Sequence, residues 1–164
     1  MNTHMPVVAV VSVIGIVTCA FALSGVLGNV QGLDASTFST LIIVIPCAIM
    51  VICSFIIMVT AHEIGRKLFI AVAGVCFAGG VVSMIVTSMW LGDPSVTSAL
   101  LANSPDGATI TVPVNSPIIV MRNIAAYIVC PTVGSIAGAW IGSRLHPVKA
   151  ANGSGARARK GRRS

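Results

Sequence analysis

The sequence predicts an all-α membrane protein, a bundle of four transmembrane helices with short loops, one longer loop and a basic C-terminal tail. Three observations predict it. The first is composition: 55% of residues are hydrophobic, only 9% are charged and the mean hydropathy is +0.97, against about 25% charged in ordinary soluble domains. The second is the presence of four apolar runs, Val7 to Leu27, Phe38 to Thr60, Leu68 to Leu91 and Ile118 to Ile141. Each reaches the roughly 20 residues that a hydrocarbon core of about 30 Å demands. Lipid offers backbone amides no hydrogen bonds, so runs of this length must be helical. The third is the placement of charge. Nine of the ten Lys and Arg residues fall between the second and third runs or after the fourth, and the loops on the other side carry Asp34, Asp93 and Asp106 but no basic residue. The positive-inside rule then puts both termini in the cytoplasm and the protein, multi-pass, in a plasma or inner membrane. Residues 1–146 read as the membrane domain and residues 147–164 as a cytoplasmic tail.

The first span follows a short polar leader. Ala20-Phe21-Ala22 resembles a signal cleavage site, but no basic residue precedes the run and the run exceeds a typical signal core, which favours a retained helix. The connection from Gly28 to Ser36 is too short to hold a domain, so spans one and two form a tight antiparallel pair. Pro46 interrupts the second span and removes the hydrogen bond to Ile42, which predicts a bend. Ala61 to Lys67 then turns the chain. His62 and Glu63 lie within it without the second histidine of a zinc-binding H-E-x-x-H, and a local ion pair with Arg66 is the expectation.

Small residues mark the third and fourth spans. Gly74-x-x-x-Ala78 and Gly79-x-x-x-Ser83 in the third let another helix backbone come close. In the fourth, Gly134, Gly138 and Gly142 recur every fourth residue on nearly one face, a glycine zipper that specifies close helix association within or between protomers. Pro131 predicts a second bend. Arg122 lies five residues beyond Pro117 and should reach outward to pair with Asp93 or Asp34. Between these spans, Ser104-Pro105-Asp106-Gly107 carries turn chemistry and residues 108–114 alternate as a strand would, so a small hairpin over the bundle is expected.

All five cysteines fall inside spans without a C-x-x-C pair, and are read as small apolar residues rather than as a disulfide framework or a zinc site. No nucleophile elbow, phosphate loop or metal-ligand spacing is present, so the expectation is a protein that is not an enzyme and takes no cofactor or metal. The tail carries Arg157, Arg159, Lys160, Arg162 and Arg163 among Gly and Ala. Without aromatic residues to stack on bases, it suits anionic lipid headgroups rather than nucleic acid.

In layout, four short-looped spans ahead of a basic tail, the chain resembles small bacterial or phage-encoded membrane proteins, including four-pass effectors of prophage exclusion systems. That likeness is one of architecture and transfers no functional residue. It implies an accessory or phage-defence protein that works through helix association with a membrane or cytoplasmic partner, or as a homo-oligomer. The alternative is a self-assembled, holin-like pore or channel built on the glycine face.

Overall fold

The four apolar runs become four long helices. The computed structural model describes residues 5–61 and 66–145. In it α1 spans Met5–Gly28, α2 Ala35–Ala61, α3 Arg66–Leu91 and α5 Pro117–Leu145, with a short α4, Pro94–Ala102, between the last two. All four long helices meet the length and hydropathy that a membrane crossing requires. Side chains that a soluble protein would hide face outward on every one of them, among them Phe21, Ile118, Met121 and Met89, each 70% or more exposed. Those faces are the lipid-facing surface of a multi-pass membrane protein. His4, His62, Glu63, His146 and the basic residues of the tail lie outside the described residues.

The most extensive helix pair is α2 with α5; α1 packs on α2, α3 packs on α5, and α1 and α3 touch little. The buried positions of α5 are Asn123, Tyr127, Pro131, Gly134, Ser135, Gly138, Ala139 and Gly142. Steps of three and four trace a single helical face. Pro46 and Pro131 both sit inside continuous helices, almost wholly buried. One apolar cluster, including Met50, Ile57, Val72, Met84 and Tyr127, fills the middle of the bundle. A second, built on Leu23, Phe38, Ile42, Leu91 and Leu100, closes the end where α4 lies.

That end corrects two expectations. No hairpin forms, and no strand occurs among the described residues. Asp93 caps a helix instead: it accepts hydrogen bonds at 2.8 Å from the Ser95 amide and at 2.7 Å from its hydroxyl, with Pro94 as the first helical residue. This arrangement satisfies an otherwise orphan amide and uses a proline where it costs no hydrogen bond. Gly107 supplies the positive φ, 86°, of a tight turn closed by Ala108 donating to the Pro105 carbonyl. The alternation that follows has a different cause from strand pairing: Ile110 and Val112 pack against the apolar cluster while Thr109 and Thr111 are exposed. The α1–α2 and α3–α5 connections are tied together, the Ala35 amide donating to the Ser104 hydroxyl at 2.9 Å.

Candidate functional site: a lateral groove and a small well

The two sets of small residues have opposite fates. A methyl group placed at Gly138 would lie 2.5 Å from the Phe55 carbonyl oxygen and 3.0 Å from the Phe55 Cα; one at Gly134 would collide with the Ser54 hydroxyl and the Val51 carbonyl. At Gly142 the nearest atoms belong to the Val59 backbone, at 3.3 Å. The zipper of α5 is therefore spent inside the chain, laid directly on the backbone of α2. Ser54, fully buried, donates its hydroxyl to the Met50 carbonyl at 2.7 Å and forms part of the same seam.

Gly74 and Gly79 have nothing within 4 Å of where a Cβ would stand. Both face away from the packed seam, and Gly79 and Ala78 line a lateral groove of about 500 Å³ between α1 and α3, floored by α2. The volume falls within the roughly 300–1,000 Å³ of small-molecule pockets, and its walls are almost wholly apolar. Cys19, Cys53 and Cys76 contribute one thiol each from three helices. All five cysteines are free, and among the described residues no three His, Cys, Asp or Glu side chains lie close enough to hold a metal ion.

Three serines, Ser12, Ser24 and Ser83, interrupt the apolar lining, and one of them is buried. Ser83 is 8% exposed and its hydroxyl has no hydrogen-bond partner. Five other hydroxyls in the spans turn back to the carbonyl one turn earlier, at 2.7 Å for Ser54, Thr60, Thr87, Ser88 and Thr132. That bond hides the polar group from lipid. Among the described residues Ser83 is the one hydroxyl both buried and without a partner, about 12 Å below the α4 end at 1.5 Å per residue.

At the α4 end lies a smaller well of about 50 Å³, whose walls are mainly apolar, from residues such as Ile42, Leu91 and Ile119, and are interrupted by Ser39, Thr87, Thr111, Arg122, Asn123 and Tyr127. Asn123 is 3% exposed and its Oδ1 is unpartnered. Arg122 is exposed at the rim. The expected pairing of Arg122 with Asp93 or Asp34 is not made, because each carboxylate serves a helix N-terminus. Asp34 accepts from the amides of Ser36 and Thr37 at 3.0 and 3.1 Å. Hydrogen bonds from Thr37 hold the Asp34 carboxyl below its ordinary value, and those from Ser95 do the same for Asp93. At the opposite end of α5 the Arg144 guanidinium lies 4.3 Å from the centre of the Trp140 ring, an amphipathic pair suited to a headgroup boundary.

Sequence reasoning singled out Gly134, Gly138 and Gly142 without showing which helix they meet, and read Gly74 and Ala78 as a packing surface of the same kind. It passed over Asn123 entirely. The signal was present: Asn123 is the one carboxamide within the four long helices, and a polar group at membrane depth marks a site by its cost alone. No protein-family model matches the chain, and neither a curated protein nor a solved structure matches it.

Proposed function

We propose that this protein is a non-enzymatic accessory subunit that receives a transmembrane helix of another membrane protein in the groove between α1 and α3. The observation that carries this reading is the coincidence, in one groove, of uncovered backbone at Gly79 and an unspent hydroxyl at Ser83. Helices in lipid gain no hydrophobic energy by associating, since lipid tails are as apolar as leucine. They associate where small residues allow backbones to approach and where polar side chains bond across the contact. An acyl chain would fill the groove but leave Ser83 unbonded. The fitting occupant is a helix that is small-faced opposite Gly79 and carries Ser, Thr, Asn or Gln level with Ser83. In this reading the basic ends lie in the cytoplasm, where the tail is free to meet anionic headgroups or a cytoplasmic partner. A prophage exclusion system is one setting in which such a subunit acts.

The pore reading loses its expected surface, because the α5 glycines already lie on α2. Copies forming a channel would have to meet elsewhere.

A photocrosslinker at Val82, 59% exposed at the groove wall, tests the proposal in cells. The expected result is a crosslink to the transmembrane segment of a different protein, at a peptide bearing a polar residue. Gly79→Leu should abolish it by filling the groove and Ser83→Ala should weaken it, with the bundle's own melting unchanged. Crosslinks only to a second copy, accompanied by depolarisation reported by a potential-sensitive dye, would establish the pore instead. Adducts to lipid alone would remove both.

A further inference from the structure

The well at the α4 end is independent of the groove and has two features that point to a ligand. Arg122, at its rim, makes no ion pair among the described residues, and the two carboxylates expected to pair with it, Asp34 and Asp93, are committed to helix caps. Asn123, in its wall, holds a buried polar atom without a partner. The two lie side by side near the start of α5, about 35 Å along the helix from its other end at 1.5 Å per residue.

We propose that this well binds a phosphate ester that carries a free hydroxyl, supplied by the glycerol-type headgroup of an anionic phospholipid. Arg122 takes the phosphate and Asn123 takes the hydroxyl. The guanidinium presents several N–H donors in a plane that matches phosphate oxygens, and charge-assisted bonds of this kind are the stronger ones. A hydroxyl suits Asn123 because it both donates and accepts, so it satisfies the buried amide whichever way the carboxamide is turned. An ammonium headgroup fits worse. The well has no carboxylate, and a cation placed there beside Arg122 would be buried without compensation. The quaternary nitrogen of choline has no proton to give. About 50 Å³ is room for a few water-sized groups, which admits the hydroxyl end of a glycerol and keeps the acyl chains outside along the lipid-facing side of α5.

The test uses the full chain in mixed micelles with phosphatidylglycerol or phosphatidylmethanol, and native mass spectrometry reads which lipid stays bound. Each lipid carries one negative charge, so the basic tail treats them alike and only the hydroxyls differ. Wild-type protein should retain phosphatidylglycerol about tenfold better, on the scale of one buried hydrogen bond. Asn123→Leu should erase that difference while keeping both anionic lipids ahead of phosphatidylcholine. Arg122→Gln should lower retention of both at this site. Asn123→Leu replaces an unpartnered polar group by an apolar one and should fold; Asn123→Ser, which restores a hydrogen-bonding group, should recover part of the preference. Added glycerol 3-phosphate separates the two sources of the same chemistry. Its competition for the site, with the same dependence on Asn123, would assign the well to a soluble ester, and its failure to compete assigns it to the lipid. If wild-type protein holds the two lipids equally, or if Asn123→Leu keeps the preference, the well takes only water and the proposal is overturned.

Discussion

Alanine substitution at each small-residue face should produce a graded series whose order follows from the space around each Cβ. Every Gly→Ala change inside a helix gains up to about 1 kcal/mol of helix propensity. Against that gain stands the cost of overpacking, about 1–3 kcal/mol where the added methyl has no room. At Gly138 the methyl would stand 2.5 Å from the Phe55 carbonyl oxygen and 3.0 Å from its Cα. Backbone cannot swing aside as a side chain can, so α2 and α5 must separate by most of an ångström, and gaps of that size forfeit about a quarter to a half of each dispersion contact along the seam. The net loss expected for Gly138→Ala is about 1–2 kcal/mol. Gly134→Ala should lose at least as much, because it meets both the Ser54 hydroxyl and the Val51 carbonyl. Gly142→Ala, with its nearest atoms at 3.3 Å, should be close to neutral. Gly74→Ala and Gly79→Ala meet nothing and should stabilise. The assay is a titration from mild detergent into dodecyl sulfate, with helix content followed by circular dichroism. If Gly138→Ala and Gly79→Ala shift the midpoint equally, the assignment of the zipper to the α2–α5 seam is refuted.

Three further outcomes follow from the same geometry. Gly80→Ala should cost about 1–3 kcal/mol by overpacking, since its methyl would meet the ring of Tyr127, a side chain only 2% exposed, and the Met50 Cε at 2.8 Å; near-ultraviolet dichroism of the tyrosine would report the displacement. Asp93 has a depressed pKa, so its cap on α4 is fully present above the ordinary carboxylate value of about 4 and is lost as pH falls through the lower folded value. Amide exchange at Ser95 should therefore accelerate only in acid, and Asp93→Asn, which still caps, should flatten that dependence. Arg122→Leu should leave lipid-free stability unchanged, because no ion pair is broken; a clear drop in the dodecyl sulfate midpoint would show that the arginine has a partner after all.

Much of the fold was legible because lipid imposes simple rules. Four runs of adequate length became four helices whose ends differ from the expected limits by four residues at most, the largest shift being Ile141 to Leu145. What could not be read was partnership. Gly138 and Gly79 carry the same local message, that a backbone may approach, and only the identity of the neighbouring helix separates a filled contact from an empty one. For α5 that neighbour is α2, which presents the carbonyls of Val51 and Phe55 where the glycines arrive. The connection before α5 was misread for a related reason. Alternation of Ile110 and Val112 with threonines is a sign of one buried side, and a segment lying on helix ends has one buried side as surely as a paired strand does. Asp93-Pro94 was the clearer local signal, a cap followed by a proline at the first helical position, yet the charge on Asp93 drew it toward Arg122 instead.

Ser83 is where stability and function are expected to part. In the isolated chain its hydroxyl is buried and unbonded, a state that costs about 1–3 kcal/mol relative to a satisfied one. A side chain that served only packing at this place would do better without the oxygen. Ser83→Ala should thus leave the isolated bundle as stable as wild type or more so, and the same change should weaken binding of a helix in the groove. Opposite signs at one residue distinguish a groove that binds a helix from a flaw in packing. If the alanine variant is destabilised in the absence of any partner, the hydroxyl was already engaged, and the strongest argument for the groove as a helix-binding surface fails with it.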